Sequence, residues 1–64
     1  MNEESSMSGW TQVWEGPEPT AGLAEEMLSG NGLSVKRRQA LPIRLFVPAA
    51  DAPTALELLR DWGM

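Results

Sequence analysis

An α+β domain, ordered strand, helix, strand, strand, helix, is predicted by three observations. First, Ile43, Leu45 and Val47 alternate with Arg44 and Phe46, the period of a strand with one buried face. Pro42 and Pro48 bracket this stretch, and proline cannot donate to a ladder, so each marks a strand end. Second, apolar residues recur at helical spacing in two segments, about Pro19 to Ser29 and about Asp51 to Trp62. Third, the turn from Gln39 to Pro42 is short enough that the strands it joins must form an antiparallel hairpin.

The elements follow from local chemistry. Residues 1–9 are small and polar without periodicity, and a disordered tail is expected there, ahead of a single domain over 10–64. Trp10 to Glu15 is rich in aromatic and β-branched residues and stops at Gly16-Pro17, which predicts a strand and a turn. Strict alternation puts Trp10, Gln12 and Trp14 on one face and Thr11, Val13 and Glu15 on the other. Both faces then carry an apolar residue, so alternation does not say which one turns inward. In the first helix Ala21, Ala24, Met27 and Leu28 form the expected buried stripe, with Leu23 beside them and Glu25 and Glu26 outside. Gly22 interrupts it at a cost of ~1 kcal/mol against alanine, a cost that a close approach to the sheet would explain. Gly30-Asn31-Gly32 suits the helix end.

Leu33 to Arg38 reads as the second strand, with Leu33 and Val35 inward and Ser34, Lys36 and Arg38 outward. In the second helix Asp51 is a candidate N-cap, Pro53 fits the first turn and Gly63 a stop. Ala52, Ala55, Leu56, Leu59 and Trp62 are expected to share its buried face, with Leu58 at the margin. A right-handed crossover through the first helix gives a three-stranded sheet of order 1-3-2 with both helices on one face. This is a ferredoxin-like βαββα arrangement. The central strand is expected to run parallel to the first and antiparallel to the second. Because the sequence ends at Met64 before any fourth strand, the outer edge of the first strand is expected to be open.

Composition narrows the chemistry. With 64 residues the core seldom supplies more than about 3–5 kcal/mol. There is no Cys and no His, hence no disulfide, no catalytic thiol, no imidazole base and no common zinc site. A net charge of −4 argues against a general nucleic-acid binder, and no nucleic-acid partner is expected. No apolar run approaches the ~20 residues of a membrane span, and the N-terminus lacks the pattern of a signal peptide. A cytoplasmic protein that binds no membrane is expected.

Val47-Pro48-Ala49-Ala50-Asp51-Ala52-Pro53-Thr54-Ala55-Leu56-Glu57-Leu58-Leu59 resembles the strand-to-helix signature of a small bacterial family described as prokaryotic signal-transducing proteins. Val13-Trp14, the Pro-containing turn, Ala21, Leu28 and Gly32-Leu33 extend the resemblance over about Trp10 to Arg60. It implies a fold similar to the PII nitrogen-regulatory proteins and a role in signal transduction, with no established catalytic residue. Gly22 departs from the family, which favours a charged helix former there, and the final strand of some members is lacking. The long nucleotide-binding loop of PII proteins has no counterpart, so their ATP site does not carry over.

Two surfaces remain as candidates. Trp10, Trp14 and Phe46, projecting together from the sheet face away from the helices, would make an apolar patch for a protein partner. The other reading turns the tryptophans inward to complete a small core. Lys36, Arg38 and Arg44 fall on the same open face, with Arg37 opposite, and could hold a phosphate, a nucleotide or an acidic partner. Equally, they could be a solvated face. Glu25 and Glu26 diverge by about 100 degrees on a helix and do not make an acid–base pair. The sequence therefore points to a non-catalytic interaction or regulatory module that self-associates, as a homodimer through the first strand, or binds a protein partner. The alternative is a small anionic-ligand sensor using Lys36, Arg38 and Arg44. Neither reading invokes a metal or a cofactor.

Overall fold

The computed structural model describes residues 9–63. Five main elements appear in the predicted order: β1 (Trp10–Gly16), α1 (Thr20–Gly30), β2 (Lys36–Arg38), β3 (Ile43–Pro48) and α2 (Ala52–Asp61). A single 3₁₀ turn, Ala49–Asp51, links β3 to α2. The sheet has the order β1-β3-β2, and both pairings are antiparallel. The parallel pairing expected between the first and central strands is thus incorrect. The crossover helix returns the chain so that β2 runs parallel to β1. The hairpin then reverses β3 against both of its neighbours.

β3 organises the core. Ile43, Leu45 and Val47 are buried, and they cluster with Ala21, Ala24 and Leu28 of α1 and Ala52, Ala55 and Leu59 of α2. Both helices therefore cover one face of the sheet. Four of these nine core residues are alanines, which let the helix backbones lie close to the strand. Leu56 and Trp62 depart from the expected buried face, at 52% and 36% exposed. Leu56 lies on the flank of α2 beyond reach of the sheet, and Trp62 follows the last turn of the helix. Leu23, at 54%, is likewise outside the core.

Local chemistry sets the boundaries. At the end of α1 the Leu33 N–H donates to the Leu28 carbonyl (3.2 Å) and the Gly32 N–H to that of Ser29 (3.0 Å). Gly32 has φ +85°, completing a Schellman motif. Leu33 is consumed by this cap, so β2 begins at Lys36 rather than Leu33. Leu33 and Val35 still pack against the core. Asp51 occupies the N-cap of α2 as expected, but its side chain makes no capping hydrogen bond. The expectation for residues 1–8 lies outside the described residues. Gly9 is not tail-like, because its carbonyl accepts the Ala49 N–H at 2.8 Å and extends the β1–β3 ladder.

Candidate functional site

The open face of the sheet is built by register. Trp10 lies opposite Pro48 and Gln12 opposite Phe46. Between Gln12 and Trp14 the register shifts by one residue, so Trp14 meets Leu45 and Glu15 meets Arg44. Opposed residues share a face, and Leu45 faces the helices. The bulge at Val13 therefore sends Trp14 to the covered side. There Trp14 packs partly against the core, with its indole over Gly16. The expected trio thus divides. Trp10 and Phe46 share the open face as diagonal neighbours, roughly 7–8 Å apart in such a pairing, while Trp14 turns inward. Nothing in the residue types of Gln12-Val13-Trp14 marks a bulge, and strict alternation fails for that reason.

β2 completes the face. Lys36 lies opposite Phe46 and Arg38 opposite Arg44, so Lys36, Arg38 and Arg44 do come together there. The Lys36 ammonium sits 4.4 Å from the centroid of the Trp10 ring. The two belong to the two outer strands, so they meet above β3. This cation–π contact, worth about 0.5–1 kcal/mol at an exposed site, holds both side chains over the sheet. Arg38 and Arg44 are directly opposed like charges, an arrangement that costs stability by itself. Glu15 eases it, with its Oε1 3.6 Å from Arg44 Nε. That distance is too long for a hydrogen bond, and Arg44 Nε is buried without a hydrogen-bond partner. Gln12 Nε2 donates to the same Glu15 oxygen at 3.2 Å. The bulge is what brings Glu15 to this face, so alternation alone missed it.

Arg37, one residue out of phase, points to the helix side. Its Nη1 donates to Glu18 Oε2 at 2.7 Å and its Nε to Glu25 Oε1 at 3.0 Å. Glu18 also accepts the Gly22 N–H at 2.9 Å, so one carboxylate caps α1 and ties it to β2. The hydrogen bond from Arg37 holds the Glu18 carboxyl below its ordinary range, against a smaller desolvation effect, and the Gly22 N–H adds to the lowering. Glu18 raises Arg37 in return. This cluster is structural. It separates Arg37 from the other strand cations and leaves Gly22 beside an ion pair rather than against the sheet backbone.

The charges are consequently sorted. Lys36, Arg38 and Arg44 are three of the five Lys and Arg residues of the chain. Of its nine acidic residues, Glu3 and Glu4 lie outside the described residues, and of the other seven only Glu15 stands on a strand. Among the described residues, no group of three or more acidic or metal-binding side chains could hold a metal ion. No described helix is long and apolar enough to cross a membrane. Models of protein families, curated proteins and solved structures give no match to this chain.

Proposed function

We propose that this domain is a non-catalytic binding module, regulatory in role, that engages its partner through the open face of its sheet. The observation that carries this reading is the sorting of charge. An acidic chain gathers most of its cations, with Trp10 and Phe46, on the one sheet face that no described element covers. A face that gathers Lys36, Arg38 and Arg44 suits an anionic partner. The regulatory role is what the sequence resemblance to prokaryotic signal-transducing proteins implies. A second copy of the chain suits this face less well. A two-fold axis would set Lys36, Arg38 and Arg44 against their own images. The bulge at Val13 also interrupts the β1 edge through which a homodimer would pair. A second reading, a sensor of small anions, draws on the same Arg38–Arg44 pairing.

The test is retention from an extract of the native cells on immobilised domain, wild type against Lys36→Gln/Arg38→Gln/Arg44→Gln. Wild type is expected to retain material that the triple variant releases. An identical set on both would refute the open face as the binding surface. A thermal-shift series with inorganic phosphate and nucleotides addresses the sensor. Stabilisation of wild type at low ligand concentration, absent in the triple variant, would favour it.

A further inference from the structure

We propose that the open face takes a short stretch of single-stranded nucleic acid, with bases on Trp10 and Phe46 and backbone phosphates on Lys36, Arg38 and Arg44. The proposal rests on the open-face reading above and assigns its partner. Size is the first argument. The central strand has six residues, and at ~3.4 Å each the face is on the order of 20 Å long, narrowing where the three-residue β2 ends. A platform of that length accommodates a short extended stretch of a few nucleotides.

The second argument is the combination of groups. An acidic peptide requires the cations but does not require aromatic faces beside them. A single strand uses aromatic faces and cations together, since bases stack on rings while the backbone tracks positive charge. Trp10 and Phe46 sit on adjacent strands at a diagonal, and Phe46 is flanked along β3 by Arg44 and across to β2 by Lys36. The Lys36 ammonium over Trp10 holds the place of a base in the free protein. On binding, the ring exchanges ammonium for base and the ammonium moves to a phosphate. The net charge of −4 predicted the opposite, but an average over the chain does not describe a face on which Lys36, Arg38 and Arg44 come together.

The experiment is fluorescence anisotropy of a labelled eight-residue oligouridylate titrated with the whole protein in 50 mM salt. Saturable binding is expected, weakening roughly 20-fold between 50 and 200 mM salt if three phosphates are neutralised on a single strand. Trp10→Leu, which keeps every charge, is expected to weaken binding roughly 5- to 150-fold, the range for loss of one stacked base. Lys36→Gln/Arg38→Gln/Arg44→Gln is expected to abolish both binding and its salt slope. Circular dichroism of each variant establishes that it is folded, and Trp10→Phe, which restores a ring, is expected to recover most of the affinity. Equal competition by polyglutamate, equal affinity for a duplex, no effect of Trp10→Leu in folded protein, or no binding at 1 mM protein would each overturn the proposal. If polyglutamate binds and the triple variant loses it, the open-face reading survives and the nucleic-acid assignment falls. If no probe distinguishes wild type from the triple variant, both fall.

Discussion

Replacing Gly16 by alanine drives a methyl group into the Trp14 indole. A Cβ built on Gly16 would lie 2.6 Å from Cη2 and 2.8 Å from Cζ2 of that ring. Gly16 has no positive φ, so alanine meets no backbone obstacle there and the effect is purely steric. Overpacking of this kind costs about 1–3 kcal/mol. Trp14 is only partly buried and can swing outward, which places the expected cost near the lower end. For a domain of this size each 1 kcal/mol lowers Tm by about 4–8 °C. Gly16→Ala is therefore expected to lower Tm by at least about 4 °C, a sizeable fraction of a stability near 3–5 kcal/mol. In a Trp14→Leu background, which keeps an apolar side chain, the ring and its clash are gone, and the loss of unfolded-state freedom at Gly16 should stabilise by about 0.4–1 kcal/mol. The sign of the substitution thus reverses, and a double-mutant cycle in urea reads the coupling directly. An indole reaching away from the sheet into a partner would leave Gly16→Ala equal in both backgrounds, and that result would refute the inward placement of Trp14.

Other outcomes are expected from the same geometry. Gly22→Ala should stabilise by about 1 kcal/mol in urea melts, because its Cβ would meet Glu18 Oε1 at 3.5 Å and Arg37 Nη2 at 3.7 Å, ordinary contact distances; a loss of stability would mean that the methyl disturbs the ion pair. Glu18 has a lowered folded pKa, so its contribution is complete above the unfolded carboxylate value and is lost as pH falls through the folded one. Glu18→Gln should therefore lose less Tm than wild type between pH 6 and 3, and parallel acid profiles would argue against the Arg37 link. Leu56→Gln, at a half-exposed position, should stay within about 0.5 kcal/mol of wild type. Leu59→Ala, in the core, should cost about 2–5 kcal/mol and leave little folded protein by circular dichroism.

The parts of the fold legible in the sequence are those where period and partner agree. β3 alternates without exception, lies between two neighbours and has a helix-covered side, so Ile43, Leu45 and Val47 could be placed from spacing alone. The two helices were legible through their alanine and leucine stripes, and only the apolar flank residues were misplaced. Leu56 has the right residue type for a core and the wrong angle, because a sheet of three strands is too narrow to cover both flanks of two helices. Strand direction was misjudged for a topological reason, since the hairpin reversal had to be compounded with the crossover. The late start of β2 follows from a cap that claims Leu33, a competition between helix end and strand that propensity does not arbitrate.

The candidate site divides in the same way. The cations on β2 and β3 were found because both strands keep strict alternation, which also set Arg37 on the opposite face, whereas its ion pairs with Glu18 and Glu25 were not foreseen. The aromatic half depended on β1, where one extra residue exchanges the faces of everything that follows it. That single shift removes Trp14 from the open face and brings Glu15 to Arg44. It converts an apolar patch suited to self-association into a smaller, positively charged one with two rings. Net charge, counted over the chain, does not show that three of the five Lys and Arg residues share one sheet face. For a domain of this size the physical unit for reading recognition is therefore the sheet face, and its composition is fixed only when the register of every strand is known.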